Sequence, residues 1–142
     1  MKVIILAGGL GTRLSEYTKT IPKPMVKING ETILERIMNH YSKFGFKEFF
    51  LALGYKKKII INHFQKPKFK KWKINLIDTG NKTMTGGRIK RLKKYFQKNE
   101  DFLLTYGDGL SNINIKKLIK FHYKQKKMVT LTAVRPPARF GA

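Results

Sequence analysis

Three short loops combine glycine with polar side chains, and the first of them follows the apolar residues 3–7. This loop reads Gly8-Gly9-Leu10-Gly11-Thr12-Arg13. Glycine lets backbone N–H groups approach a ligand closely and point at it together, which phosphate groups and base edges require. The loop is not a dinucleotide fingerprint, because Leu14 stands where the third glycine should be, and it lacks the Gly-Lys-Ser/Thr of a Walker loop. It therefore predicts a phosphate pocket.

A lysine held between two prolines follows this loop, in the sequence Pro22-Lys23-Pro24. Proline restricts its own backbone and that of the residue before it, so the Lys23 ammonium is expected to be aimed in one direction. One interpretation is that Lys23 supplies a second positive charge, besides Arg13, for binding phosphate. The alternative is that Lys23 is one more surface lysine among 25.

The second loop covers residues 78–88 and ends in Gly86-Gly87-Arg88 at the start of a helical pattern. Unpaired N–H groups and the helix dipole at such a position favour an anion or a carbonyl edge. A plain turn would explain the two glycines. It would not explain Arg88 and the threonines beside them, of which Thr83 is one.

The third loop, Thr105-Tyr106-Gly107-Asp108-Gly109, follows the apolar residues 102–104. An aspartate between glycines at the end of a buried strand is poorly placed for a salt bridge and well placed as a hard oxygen ligand for Mg²⁺. Asp108 is therefore a candidate metal ligand. The alternative is an ordinary turn aspartate.

Strand and helix patterns alternate along the chain and place these loops at strand ends. The predicted strands are residues 2–6, 25–28, 48–53, 74–77, 102–105 and 128–134, and the predicted helices are residues 32–44, 57–64, 88–96 and 115–123. This βαβα order predicts an α/β fold, a Rossmann-like and mostly parallel sheet with helices on both faces. Ligands of such sheets bind beyond the carboxyl ends of the strands.

The clearest helix pattern begins at Thr32, where Glu35 three residues later suggests a capping box. Apolar residues at helical spacing form one stripe, and Gly45 is expected to end the helix. The stripe is Ile33, Leu34, Ile37, Met38 and Tyr41. We interpret it as core.

Length and composition limit the function classes. The 142 residues suit one domain, and the absence of cysteine excludes disulfides, thiolate metal sites and a cysteine nucleophile. No apolar run approaches the roughly 20 residues needed to span a bilayer. These features predict a cytoplasmic protein without a membrane partner.

The net charge of +23 raises the question of a nucleic-acid partner. Of the 31 basic residues only 6 are arginine, the residue favoured for base readout, and the lysines are spread along the chain. Nucleic-acid binding is therefore disfavoured. Residues 66–73, KPKFKKWK, interleave Phe69 and Trp72 with lysine and keep this alternative open.

The ordered motifs LAGGLGTRL, PKPM, DTG, MTGGR and TYGDG resemble the sugar-1-phosphate nucleotidyltransferases, most closely the bacterial glucose-1-phosphate cytidylyltransferases. The first two motifs are shared widely in that superfamily, whereas MTGGR and TYGDG narrow the resemblance to the cytidylyl branch. One departure lies between Tyr55 and Ile74, where this chain is shorter than the family and carries the basic residues 66–73. The resemblance implies the nucleotide-diphospho-sugar transferase type of fold.

Carried onto this sequence, the resemblance also implies roles for individual residues. The backbone of Leu6, Ala7, Gly8, Gly9 and Leu10 would contact the cytosine ring, and Gly11, Thr12, Arg13 and Lys23 would hold phosphates. Thr83 and Arg88 would complete the nucleotide pocket, Gly107 would lie beside the ribose, and Asp108 would bind the Mg²⁺ cofactor. Arg13, Lys23 and Asp108 would be the catalytic residues.

The implied reaction forms CDP-glucose and pyrophosphate from CTP and glucose 1-phosphate, as part of O-antigen and lipopolysaccharide biosynthesis. The full-length family is expected to form homo-oligomers. Residues 1–142 would be the nucleotide-binding N-terminal portion, with the sugar-binding C-terminal portion absent. Two alternatives stay open: a related thymidylyl- or uridylyltransferase, and a basic module that binds nucleic acid or another polyanion without catalysis.

Overall fold

The computed structural model describes residues 1–9 and 20–135. Two compact units are distinguished, Met1–Asn112 and Ile113–Ala142. The first unit contains every described strand, and the described part of the second contains one helix.

A four-stranded sheet forms the centre of the first unit. Its strands are β1 (Lys2–Ala7), β4 (Glu48–Leu53), β5 (Lys73–Asp78) and β6 (Phe102–Tyr106), and a short hairpin adds β2 (Lys27–Ile28) and β3 (Glu31–Thr32). The sheet has the order β5-β4-β1-β6, and all three pairings in it are parallel. The predicted parallel sheet is therefore confirmed, with strand ends within one or two residues of those expected.

The two middle strands, β1 and β4, are buried along nearly their whole length. Val3, Ile5, Phe49, Leu51 and Leu53 are all fully buried. A strand with neighbours on both sides and cover on both faces must be apolar at every position, which explains why these segments read as continuous apolar runs.

Helices cover both faces of this sheet, as predicted. The helices of the first unit are α1 (Ile33–Lys43), α2 (Lys57–Phe64) and α3 (Thr85–Leu92). On one face Ile4 and Phe50 pack against Leu92 of α3. On the other face the Phe49 ring lies 5.9 Å from the Trp72 ring, and Trp72 Nε1 donates to Ser42 Oγ of α1 at 2.6 Å. Adjacent strand residues thus serve opposite faces.

The start of α1 confirms the predicted capping box. The Glu35 N–H donates to Thr32 Oγ1 at 3.1 Å, and the Thr32 N–H donates to Glu35 Oε2 at 2.8 Å. Gly45, with a φ of +93°, follows the helix in the left-handed conformation that glycine adopts without strain.

One strand and one helix have bounds that differ from the predictions for a physical reason. The predicted strand 25–28 begins only at Lys27, because Lys23–Met25 forms a 3-10 turn started by the flanking prolines. The predicted helix 88–96 begins at Thr85 and ends at Leu92, followed by a 3-10 turn at Lys93–Tyr95. Apolar periodicity could not detect the first turn of this helix, because it contains only threonine and glycine.

The second unit contains α4 (Ile115–Gln125), and Asn114 caps it by accepting from the Lys117 N–H at 3.0 Å. The predicted strand 128–134 is wrong, because this segment pairs with none of the described strands. Met128, Leu131 and Val134 are 97%, 84% and 80% exposed. Apolar alternation indicates residues that suit a strand, but a strand exists only where its backbone has a hydrogen-bonded neighbour. Among the described residues, none of the helices is long and apolar enough to cross a membrane.

The buried carboxylate at the start of α1 makes the fold sensitive to acid. Burial by itself raises the pKa of Glu35, but hydrogen bonds from Lys68 and Thr32 outweigh it and lower the pKa from 4.5 to about 2. A carboxyl with a depressed pKa stabilises the folded state above its unfolded pKa, and this contribution is lost as the pH falls from about 4.5 towards 2.

We therefore expect Glu35→Gln to flatten the acid limb of the stability profile. Between pH 5 and pH 3 the free energy of unfolding should fall by about 2 kcal/mol more in the wild type than in the variant, measured by urea denaturation. Glu31→Gln is the matched control, since Glu31 is exposed and lies 3.9 Å from Arg36. Parallel wild-type and Glu35→Gln profiles would contradict the expectation.

Candidate functional site

The polar loops predicted from the sequence meet at one edge of the sheet. Ala7 is in register with Leu53, Leu53 with Asp78, and Leu6 with Tyr106. Because these strands are parallel, the segments that follow them leave from the same edge, where ligands of such sheets bind.

The glycine loop begins at the centre of this edge. Leu6, Ala7 and Gly8 are buried, whereas Gly9 is exposed and a Cβ on it would meet no atom of the described residues within 4 Å. The Leu6 carbonyl is already used, because it accepts from the Gly107 N–H at 2.9 Å. The other predicted residues of this loop lie outside the described residues, and their roles stay predictions: Leu10, Gly11, Thr12 and Arg13.

Arg88 lies on α3, in contact with Gly8, and is only 5% exposed. Its Nη2 donates to the Gly8 carbonyl at 2.8 Å, and its Nη1 donates to the Leu53 carbonyl at 3.1 Å. Burial, and then the charge of nearby Arg91, lower the pKa of the Arg88 guanidinium against the opposing effect of Asp78. Arg88 thus lies at the predicted site. Its described hydrogen bonds all go to carbonyl or hydroxyl oxygens of the protein.

Thr79 is a site residue that the sequence analysis did not single out. It is fully buried, its Oγ1 donates to the Leu53 carbonyl at 2.6 Å, and it accepts from Arg88 Nη1 at 2.7 Å. A threonine directly after a strand and before a glycine was the available signal. Thr83 is half-buried. Its side chain lies close to Gly80, because a Cβ on Gly80 would come within 2.8 Å of Thr83 Oγ1.

An ion pair joins the last residue of β5, Asp78, to Lys57 at the start of α2. The Lys57 ammonium hydrogen-bonds the Asp78 carboxylate, and the Gly80 N–H donates to Asp78 Oδ1 at 3.0 Å. These two contacts, led by Lys57, lower the pKa of Asp78. The loop after β5 is therefore tied both to α2 and to its own strand.

Lys23 and Asp108, which are 85 residues apart in the sequence, meet beyond the end of β6. Lys23 Nζ lies 2.6 Å from Asp108 Oδ2, and the side chains are 33% and 35% exposed. Gly107 makes this approach possible, because a Cβ on it would lie 3.0 Å from Pro24 Cγ and 3.1 Å from the Leu6 carbonyl. The proline-flanked lysine and the glycine-flanked aspartate thus form one ion pair. The expectation that Asp108 is poorly placed for a salt bridge is wrong, because the fold brings Lys23, which is distant in sequence, to the end of β6.

The donor set at Asp108 is compatible with a hard cation. Mg²⁺ is commonly held by one or two carboxylates together with substrate phosphates, so a single exposed carboxylate next to the predicted phosphate-binding residue Lys23 suits it. Over residues 1–9 and 20–135, no group of three or more His, Asp or Glu side chains could hold a metal by itself. Phosphate oxygens of a ligand and water molecules are the further ligands that Mg²⁺ commonly takes beside a single carboxylate.

The basic segment 66–73 uses its aromatic side chains internally. Phe69 and Trp72 are 4% and 6% exposed, and their rings stack with their centroids 6.0 Å apart. Neither ring face is available to a nucleic-acid base, so the alternative of a nucleic-acid module loses the feature that supported it.

Comparison with known proteins identifies the family. The nucleotidyl transferase family matches residues 2–142. The chain is 45% identical to the glucose-1-phosphate cytidylyltransferase of Salmonella typhimurium, over 100% of this chain and 63% of that protein. It is 44% identical to the D-glycero-alpha-D-manno-heptose 1-phosphate guanylyltransferase of Campylobacter jejuni, over 83% of this chain and 52% of that protein. The chain therefore spans less than two thirds of the length of these relatives.

Solved structures agree with this assignment. HddC from Yersinia pseudotuberculosis, complexed with GMP-PN, is 36% identical and matches with a TM-score of 0.74 over 85% of this chain and 53% of that chain. A UDP-glucose pyrophosphorylase complexed with UDP-glucose has 20% identity and a TM-score of 0.73 over 88% of this chain and 54% of that one, which shows a shared fold. The matched residues, the parallel sheet and the predicted motifs lead to one conclusion: the chain belongs to the nucleotidyl transferase family.

Proposed function

We propose that this chain is the nucleotide-binding part of a glucose-1-phosphate cytidylyltransferase, which forms CDP-glucose and pyrophosphate from CTP and glucose 1-phosphate. The observation that carries the proposal is the meeting of Lys23 and Asp108, 2.6 Å apart, at the carboxyl edge of the sheet. The 45% identity to a cytidylyltransferase over the whole chain supports the choice of nucleotide and sugar.

The reaction is an in-line displacement at the α-phosphorus. An oxygen of the sugar phosphate forms the new bond to phosphorus, and the bond to the β-phosphate oxygen breaks as pyrophosphate leaves. The attacking phosphate is already ionised near pH 7, because its second pKa is about 6, so no general base is required. The residues have to bind, orient and neutralise phosphate charge, and the Lys23 ammonium suits this task.

The Lys23–Asp108 ion pair indicates how the protein keeps these two charges ready for a ligand. Both side chains are about one-third exposed, so water weakens the pair and it can open at little cost. A triphosphate would attract Lys23, and Asp108 would then be free to hold Mg²⁺. When bound, that ion would supply additional positive charge to the phosphate oxygens.

A guanylyltransferase is the second candidate. The heptose 1-phosphate guanylyltransferase relative, at 44% identity over 83% of this chain, is nearly as similar as the cytidylyltransferase, although over a shorter stretch. The thymidylyl- and uridylyltransferase alternatives stay open in the same way. Nucleotide preference therefore separates the candidates.

We expect the chain to bind CTP in the presence of Mg²⁺ more tightly than GTP, ATP, UTP or dTTP. The physical reason is that the nucleotide loops are all contained in this chain, so base selection should not require further residues. Isothermal titration calorimetry with each nucleotide at equal Mg²⁺ measures it. A preference for GTP would favour the guanylyl candidate, and equal affinities would contradict the cytidylyl assignment.

We expect Asp108→Asn to remove most of the dependence of CTP binding on Mg²⁺ while leaving the thermal unfolding midpoint unchanged. Asparagine keeps the shape of the side chain but loses the charge that attracts a hard cation. Binding without Mg²⁺ should be retained or improved, because Lys23 loses its competing partner. Calorimetry with and without Mg²⁺ measures both effects.

Asp101→Asn is the matched control, since Asp101 is exposed at the opposite end of β6. It should leave the Mg²⁺ dependence as in the wild type. A full Mg²⁺ dependence in Asp108→Asn would show that Asp108 is an ordinary turn residue.

A further inference from the structure

The guanidinium of Arg88 is a buried charge whose described partners are all neutral. Over the described part of the chain, no carboxylate lies within ion-pair distance of it. Its acceptors are the carbonyls of Gly8, Leu53, Gly80 and Asn81 and the hydroxyl of Thr79. A buried charge is tolerated only when its hydrogen-bonding groups are satisfied, and these acceptors satisfy both terminal nitrogens of Arg88.

These acceptors belong to the ends of three neighbouring strands. Gly8 follows β1, Leu53 ends β4, and Thr79 and Gly80 follow β5. The distances from the Arg88 nitrogens are 2.8 Å to the Gly8 carbonyl, 3.1 Å to the Leu53 carbonyl and 2.9 Å to the Gly80 carbonyl. One planar, rigid group therefore joins three adjacent strand ends, which a flexible ammonium could not do in the same way.

Two glycines leave the space that the guanidinium occupies. A Cβ on Gly8 would lie 2.2 Å from Arg88 Nη1, and a Cβ on Gly54 would lie 2.6 Å from the same atom. Real Cβ atoms do not approach a side chain so closely. Gly8 is therefore required by the observed position of Arg88, whereas a Cβ on Gly9 would meet none of the described atoms within 4 Å.

We propose that Arg88 is a positioning residue that fixes the start of the glycine loop through the Gly8 carbonyl, rather than a residue that binds the nucleotide phosphates. This inference rests on the proposed function, because the backbone of this loop is where the cytosine ring is expected to bind. Loss of Arg88 then weakens the binding of every cytidine nucleotide by the same factor, since it disturbs the base site. A guanidinium bound to the outer phosphates would instead affect CTP more than CMP.

The experiment compares the dissociation constants of CTP and CMP for wild type, Arg88→Ala and Arg88→Lys. We expect both variants to lose affinity for the two nucleotides in parallel, by about tenfold in Arg88→Ala, with the CTP to CMP ratio unchanged within about twofold. Methylguanidinium at millimolar concentration should restore CMP binding to Arg88→Ala, whereas methylammonium should not. A selective loss for CTP, or no loss at all, would overturn the proposal.

Arg91→Gln is the matched control. Arg91 lies one turn further along α3 and donates to the Thr79 carbonyl at 2.5 Å, but none of its described hydrogen bonds reaches the glycine loop. It should leave both affinities within about twofold of the wild type, which is within the range expected of a substitution away from the contact. An effect in Arg91→Gln equal to that of Arg88→Lys would show a general disturbance of α3 and would overturn the proposal.

A second measurement needs no nucleotide and separates the positioning role of Arg88 from the proposed function. The Tyr55 N–H donates to the same Gly8 carbonyl at 3.4 Å. In Arg88→Lys, which keeps the charge and should fold, amide exchange at Tyr55 and the NMR shifts of Gly8 and Gly9 should change, and in Arg91→Gln they should not. Unchanged signals would overturn the positioning role, whereas a wild type without CTP preference would overturn only the proposed function.

Discussion

The buried guanidinium of Arg88 is the interaction on which the candidate site depends most. Parallel strands bring their carboxyl ends to one edge, where the backbone carbonyls need hydrogen-bond donors from the segments that pack against that edge. The Leu53 carbonyl accepts from the Thr79 N–H at 2.9 Å, and the Gly8 carbonyl accepts from the Tyr55 N–H at 3.4 Å. Arg88 supplies donors to the carbonyls of Gly8 and Leu53 at once, at 2.8 Å and 3.1 Å. The same group that satisfies these carbonyls therefore also sets the spacing between the strand ends.

Much of this fold was predictable because its signals are local. The buried strands β1 and β4 are continuous apolar runs, and the capping box of Thr32 and Glu35 needs only four consecutive residues. Residues 128–134 show the limit of such reasoning, since their alternation suits a strand but pairing depends on a neighbour elsewhere in the fold. Pairing is a property of the assembled sheet, which no local pattern contains.

The candidate site was predictable in its composition and less so in its contacts. Lys23, Arg88 and Asp108 were chosen because their types suit phosphate and metal, and all three lie at the carboxyl edge. Their partners could not be foreseen, because Arg88 and Gly8 are 80 residues apart and meet only through the order of the strands. Thr79 was missed for the same reason, since its importance comes from Leu53 and Arg88.

The two ends of the site consequently differ in how firmly they are held. On the Arg88 side the charge is buried and satisfied by neutral carbonyls, which favours a fixed backbone. On the Lys23 side the charges of Lys23 and Asp108 are partly exposed and satisfied by each other, which favours exchange with an incoming anion and cation. A nucleotide also has two chemically different ends. Its base is recognised by hydrogen-bonding groups in fixed positions, and its phosphates are neutralised by charged side chains that can move towards them. Under the proposed function, the separation of these two environments along one sheet edge would orient a bound nucleoside triphosphate.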